Sequence, residues 1–226
     1  MTKKTVLVVV AHTDDETLGM AGTIYKHSRR GDNVYSISMT NGVGARNEED
    51  IIEIEKREES AMKASKILGF KWLKGESFPD NKMDTESILA ITKKIEEAKS
   101  FIKPNIIYTH NGGDLNIDHR IVSQAVLTAF RPQPEEIWEE LRTFEIPSST
   151  DYGHKSITGR FEPNLFIDIT EAWQKKLEAL ECYQQEIRAK PHSRSYNGIE
   201  ALAKIRGAQS GLEYAEAFET IRSIER

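Results

Sequence analysis

His12, Asp14 and Asp15 crowd into the segment Ala11-His12-Thr13-Asp14-Asp15-Glu16, and His110, Asp114, Asn116, Asp118 and His119 form a second group. Imidazole and carboxylate are ligand types that suit zinc, and a catalytic zinc needs three protein ligands and an open position for water. His12 and Asp15, three residues apart on a turn, can reach one ion, and His119 can complete the set from the second group. Asp14 is then left beside the metal, where a carboxylate can take a proton from water and return it to a leaving group. The same residues have a plainer reading. Acidic side chains at a helix N-terminus are stabilised by the helix dipole, and Asp118-His119 can be ordinary helix entry. Spacing alone leaves both readings open.

The elements that must position these groups follow from periodicity. Residues 5–11 are a continuous apolar run after two lysines, which suits a central parallel strand covered on both faces. Residues 16–30 carry Leu18, Ala21, Gly22, Ile24 and Tyr25 at helical spacing with Gly31 as the stop, and residues 33–39 read as a second strand. Further helices are predicted over 48–68, 84–100 and 117–130, and strands over 70–73 and 105–109. Strands alternating with helices predict an α/β fold: a Rossmann-like, doubly wound, mostly parallel sheet with helices on both faces. In such a sheet ligands bind beyond the carboxyl ends of the strands, where strand order reverses, and both groups sit at strand ends. The second half is less regular. Strands are expected at 143–146 and 165–169, a long helix capped by Thr170 over 171–189, a polar loop over 190–197, and helices at 199–209 and 214–226.

Composition bounds the rest. The chain has 226 residues, 38% of them hydrophobic, enough for one domain spanning 1–226 to bury a core without staples. A net charge of -5 supplies no basic footprint for nucleic acid or for an acidic membrane surface. Cys182 is the single cysteine, which excludes an intramolecular disulfide and a thiolate zinc site, and it has no neighbour that would activate it as a nucleophile. The apolar run at 6–11 is far short of a membrane span of about 20 residues, so a cytoplasmic location without membrane insertion is expected. Self-association as a homo-oligomer is left open. His27, on a basic helix face, reads as solvated; Trp138 and Trp173 read as core or interface residues.

Ala-His-Thr-Asp-Asp-Glu closely resembles the Ala-His-Pro-Asp-Asp-Glu signature of the PIG-L/LmbE-like family of de-N-acetylases, and Asp118-His119 resembles the end of its second motif, His-x-x-Asp-His. Thr40-Asn41-Gly42-Val43-Gly44 resembles the family's glycine-rich loop; Arg57, Ala64 and Leu68-Gly69 resemble its next helix; and Phe166 to Thr170, Lys176, Ala179, Gln184-Gln185 and Tyr214 to Phe218 resemble its C-terminal region. The resemblance spans nearly the whole chain. It implies zinc-dependent removal of an N-acetyl group from a small amino-sugar substrate, with His12, Asp15 and His119 as ligands to Zn2+ and Asp14 as general base. It further implies that Asp118 orients a neighbouring catalytic group, and that Arg57 and Asp80 contact substrate; Arg46, in the glycine-rich loop, can reach the same crevice.

Two positions depart from the pattern. Thr13 replaces the usual proline, which loosens the turn without removing a functional group. Asn116 stands where many members carry the first histidine of the second motif, a group expected to stabilise an oxyanion; an amide can donate to that oxygen but cannot carry charge. His110 is the candidate to take over that role. Two other readings compete: a sugar-binding member of the same fold without catalysis, motivated by Asn116, and an iron-dependent oxygenase, because His12-x-Asp14 with a distant histidine resembles a two-histidine, one-carboxylate triad. The alternation of strand and helix argues against the oxygenase, and retention of His12, Asp14, Asp15 and His119 argues against decay.

Overall fold

The valine-rich run at the start of the chain becomes β1 (Thr5–Val10), the centre of a seven-stranded sheet. Val6 to Val10 are fully buried, and alternate side chains enter different cores: Val6, Val8 and Val10 on one face, Leu7 and Val9 on the other. A strand buried on both sides has no polar face to show, which is why its sequence does not alternate. The computed structural model describes residues 2–40, 42, 51–154, 156 and 159–225. Arg46 and the expected helix start at 48–50 lie outside them.

α1 (Asp15–Arg29) leads to β2 (Asn33–Ser38), α2 (Ile51–Leu68) and β3 (Lys71–Trp72). α3 (Ile88–Ile102), β4 (Ile106–His110), α4 (Ile117–Ala129) and β5 (Glu140–Phe144) follow, then β6 (Leu165–Asp168), α5 (Trp173–Glu181), α6 (Tyr196–Ala208) and β7 (Ala215–Ser223). Strand order is β3-β2-β1-β4-β5-β7-β6; the neighbours from β3 to β5 are parallel, and β7 runs antiparallel to both β5 and β6. Residues of α1, α2 and α5 fill the core on one face, and residues of α3 and α4 fill the other. This is the doubly wound α/β architecture expected. The order reverses between β1 and β4, so the two strands whose ends carry the histidine and aspartate groups are neighbours in register, Val9 opposite Thr109.

The structure corrects the sequence reading in several places, and the strand expected at 143–146 runs over Glu140–Phe144. Residues 215–223 form β7, not a helix: Ala and Glu favour helix in isolation, but a place inside the sheet overrides local propensity. The expected helix over 171–189 stops at Glu181, because Tyr183 turns out of helical backbone (φ -113°, ψ 42°) and buries its ring, its hydroxyl donating to Glu16 Oε1 at 3.3 Å. Thr170 does not cap that helix; its own N–H and hydroxyl both donate to Asp168 Oδ1. The expected helix over 84–100 is likewise divided, with a single turn at Met83–Thr85 and α3 beginning after extended Glu86.

β7 repairs a break in α1. Met20 leaves helical backbone (φ -148°, ψ 25°), which interrupts the ladder one turn after the Asp14-Asp15 corner. The Gly22 and Thr23 N–H groups donate to the Glu216 carboxylate at 3.0 and 2.7 Å, and Lys176 Nζ donates to Leu18 O at 3.0 Å and to Glu216 Oε1 at 2.7 Å. Both side chains are buried, so each satisfies backbone groups that have no access to water. Gly19 belongs to the same close fit: a Cβ there would stand 2.4 Å from the Phe144 ring.

Candidate metal and catalytic site

His12 leaves the end of β1 and Asp15 opens α1, so one turn places both above the sheet edge. From across the strand reversal comes His119 in the first turn of α4. His12 Nδ1 lies 3.2 Å from Asp15 Oδ2 and 3.3 Å from His119 Nε2, and His119 Nε2 lies 3.4 Å from Asp15 Oδ2. Ligand atoms of a tetrahedral ion with bonds of about 2.0–2.1 Å stand about 3.4 Å apart. The triangle therefore has the dimensions of one face of such a site. All three residues are buried.

The opposite ring nitrogens meet carboxylates. His12 Nε2 lies 3.1 Å from Asp80 Oδ1 and 3.3 Å from Asp118 Oδ2, and His119 Nδ1 lies 3.0 Å from Asp114 Oδ2. Histidine ligands commonly hand their second N–H to a carboxylate in this way, which fixes the tautomer and raises ligand basicity. His12, Asp80 and Asp118 also cluster closely enough to hold a cation. The Asp118 carboxylate, however, is already occupied by the N–H groups of Asn81 and Met83, and His12 cannot present both nitrogens to metal while neutral.

The electrostatics match a cation-binding pocket. Burial works against charge on His12, yet Asp15, Asp118 and Asp80 together raise its pKa well above the ordinary value. Burial likewise opposes charge on His119, and Asp15 and Asp114 outweigh it, lifting the pKa to about 9. Asp15 is driven well below the carboxylate range against its burial by the three histidines, and Asp114 to about 2, chiefly by His119 against burial. The carboxylates draw protons onto both imidazoles, and a divalent ion would replace those protons. A metal thus fits the donor set.

Asp14, beside the triangle, keeps a raised pKa because burial outweighs the Arg57 guanidinium next to it. Arg57 is held by three protein groups. Its Nη2 donates to Asp14 Oδ1 at 2.9 Å, its Nη1 to Glu186 Oε1 at 2.9 Å and its Nε to Thr13 Oγ1 at 3.1 Å. Thr13, the departure from the proline of the resemblance, thus supplies a hydroxyl to this array. Asp80 is also directed inward, onto His12, and is buried. Glu16, fully buried, has its pKa pushed up to about 8 by burial.

Both candidates for stabilising an oxyanion are engaged with protein groups. His110 Nε2 accepts the Ala11 N–H at 2.8 Å, its ring stacks on His119 with centroids 3.9 Å apart, and burial followed by the His119 charge pushes its pKa down to about 3. The same Nε2 lies 3.4 Å from Asp15 Oδ2, so His110 packs against His119 beside the triangle. Asn116 is the N-cap of α4: its Oδ1 accepts from the Asp118 and His119 N–H groups, and its Nδ2 donates to Asn81. The residue orients the helix that carries His119. Asp118 Oδ2 lies 3.3 Å from His12 Nε2. Three residues of this site were not assigned a role from the sequence: Asp114, Glu186 and Arg194. Asp114 stood in the second group of the sequence, Glu186 in the expected helix over 171–189 and Arg194 in the expected polar loop over 190–197. His27, expected to be solvated, is buried at the far end of α1 between Asp32 (2.7 Å) and the Tyr108 hydroxyl (3.0 Å).

Among the described residues no helix is long and apolar enough to cross a membrane. Over 194 residues, 82% of each chain, the sequence is 26% identical to probable N-acetyl-alpha-D-glucosaminyl L-malate deacetylase 2 of Bacillus anthracis. The fold superposes on N,N'-diacetylchitobiose deacetylase from Pyrococcus horikoshii with a TM-score of 0.76 and 20% identity, covering 96% of this chain and 84% of that one. It also superposes on GalB, the 4-carboxy-2-hydroxymuconate hydratase of Pseudomonas putida KT2440, with a TM-score of 0.75 and 20% identity over 99% of both chains. These two likenesses establish a shared fold. The family model for GlcNAc-PI de-N-acetylase (PIG-L) matches residues 7–130, more than half the chain and every residue of the metal triangle, so the chain belongs to the PIG-L family of metal-dependent deacetylases.

Proposed function

We propose that the protein hydrolyses the acetamide of an N-acetylglucosamine-type amino sugar or glycoconjugate, releasing acetate and a free amine, with zinc held by His12, Asp15 and His119. The observation that carries this reading is the triangle of ligand atoms 3.2 to 3.4 Å apart with an unligated carboxylate, Asp14, at its side. Zinc, when bound, lowers the pKa of a coordinated water and draws electron density from a carbonyl oxygen. Asp14 takes the proton as water adds to the acetamide carbon. It then delivers that proton to the nitrogen as the carbon–nitrogen bond breaks, so one group serves both halves of the reaction. Its raised pKa suits a carboxylate that must hold a proton between the two steps.

Asp80 and Asp118 fix the ring of His12, Asp114 fixes that of His119, and Asn116 fixes the helix beneath them. The test is acetate release from N-acetylglucosamine, its malate conjugate and N,N'-diacetylchitobiose by zinc-loaded protein. Zinc bound at about one per chain with acetate formed from one of these is the expected result. Failure to load zinc, or a loaded protein that releases no acetate from any of the three, overturns it.

A further inference from the structure

The Arg57 guanidinium lies between two carboxylates of different standing. One is Asp14; the other, Glu186, comes from the segment after α5, remote in sequence and outside the matched region. Its position follows from Tyr183, whose burial ends the helix and turns the next residues toward the strand ends. A second guanidinium, Arg194, stands on the other side, with Nη1 3.6 Å from Glu186 Oε2 and 3.8 Å from Asp14 Oδ2. Glu186 therefore shares both arginines that flank Asp14. The fork itself is seated: Gly42 (φ +70°) packs where a Cβ would stand 2.6 Å from Arg57 Nε and 3.0 Å from Cζ.

A guanidinium facing a single buried carboxylate binds it through two parallel N–H bonds, occupying both oxygens. Here one arm goes to Asp14 Oδ1 and the other to Glu186, so that among the described residues Asp14 Oδ2 is met by the longer approach of Arg194 at 3.8 Å. An oxygen that must receive a proton from water has to be free of such a bond.

We propose that Glu186 is a positioning residue for deacetylation: by holding the second arm of Arg57, it restricts that arginine to one oxygen of Asp14 and keeps the other open as proton acceptor. The inference rests on the reading of Asp14 as the base. Loss of the Glu186 charge lets Arg57 close onto both oxygens, which lowers turnover and leaves substrate binding in place.

The experiment measures kcat and KM for acetate release from N,N'-diacetylchitobiose by zinc-loaded Glu186→Gln, Glu186→Asp, Arg57→Lys and the Glu186→Gln/Arg57→Lys double variant, with Asp14→Asn alongside. Glu186→Gln is expected to lower kcat by about tenfold to a hundredfold, the scale of a misplaced catalytic group, with KM within about twofold of wild type and zinc content unchanged. Glu186→Asp restores part of the loss. The double variant is no slower than Arg57→Lys alone, because the two residues act through one contact. Wild-type kcat in Glu186→Gln, a loss confined to KM, or additive losses in the double variant overturns the proposal. Should Glu186→Gln not fold, Glu186→Asp decides, with a kcat loss at unchanged KM expected and an unchanged kcat overturning. Full activity in Asp14→Asn instead overturns the base assignment itself, so the two failures are distinct.

Discussion

Asp114 Oδ2 lies 3.0 Å from His119 Nδ1, on the side of the imidazole away from the nitrogen that faces Asp15 and His12. The same carboxylate accepts from the Ser149 and Thr150 hydroxyls and from the Asn116 N–H, so it ties the loop after β5 to the helix cap that carries His119. A carboxylate that fixes a ligand histidine typically governs metal affinity by one to two orders of magnitude. Asp114→Asn is therefore expected to bind zinc about 10- to 100-fold more weakly, measured by competition with a chromogenic chelator. Unchanged affinity would show that His119 is oriented by the helix alone.

Asp14 makes the complementary case. It adjoins Asp15 in sequence but supplies no corner of the triangle, and its shorter ion pair is with Arg57. Asp14→Asn keeps the size of the side chain and removes its ability to take a proton. Zinc content should stay at the wild-type level while kcat falls by about 10²- to 10⁴-fold, the range of a lost general base. Metal loss of the same magnitude in this variant would make Asp14 a ligand.

The buried pair Lys176–Glu216 holds α1 together across the break at Met20, and so holds the corner from which Asp15 projects. Replacing Glu216 with Gln leaves a buried ammonium without its counter-charge, a change of about 3–5 kcal/mol in stability. Urea denaturation of zinc-loaded protein should register it. A loss under about 1 kcal/mol would mean that the Lys176 ammonium is satisfied by the Leu18 carbonyl and the solvent.

What could be read from the sequence and what could not divide along a physical line. β1 was legible because a strand covered on both faces is apolar throughout, and the triangle was legible because His12 and Asp15 are local and His119 lies in the first turn of the helix that follows the adjacent strand. β7 was not. Ala215-Glu216-Ala217 has the composition of a helix, and its strand state depends on β5 and β6 on either side. Glu186 was hidden for a related reason, since the helix holding it in the sequence reading ends where Tyr183 finds its burial site. Arg57 and Asp80 were legible as members of the site, but their protein partners were not, because Glu186 and His12 meet them through contacts remote in sequence. The type of His110 and its place at a strand end were legible, whereas the ring it stacks on comes from the next helix.

His27 offers a test of stability far from the metal. Its ring is buried, with Asp32 and Tyr108 on its two nitrogens, and Arg30 and Arg142 reach the same network. Burial depresses its pKa below the ordinary value near 6.5, and the charges of Arg30 and Arg142 add to that against the pull of Asp32. The unfolded chain therefore binds a proton at His27 at a pH where the folded protein does not. Unfolding is favoured as pH falls below about 6.5 toward the lower folded value, and the stabilisation from neutral His27 is complete only above that window. His12 and His119, with raised values, act in the opposite sense, so the total pH dependence does not isolate His27. The difference between wild type and His27→Gln does. At pH 8 the variant should melt below wild type, because glutamine cannot reproduce both ring contacts, and the gap in Tm should narrow steadily as pH is lowered to 5.5. A gap that stays constant across that range would mean that the folded protein binds the His27 proton as readily as the unfolded chain.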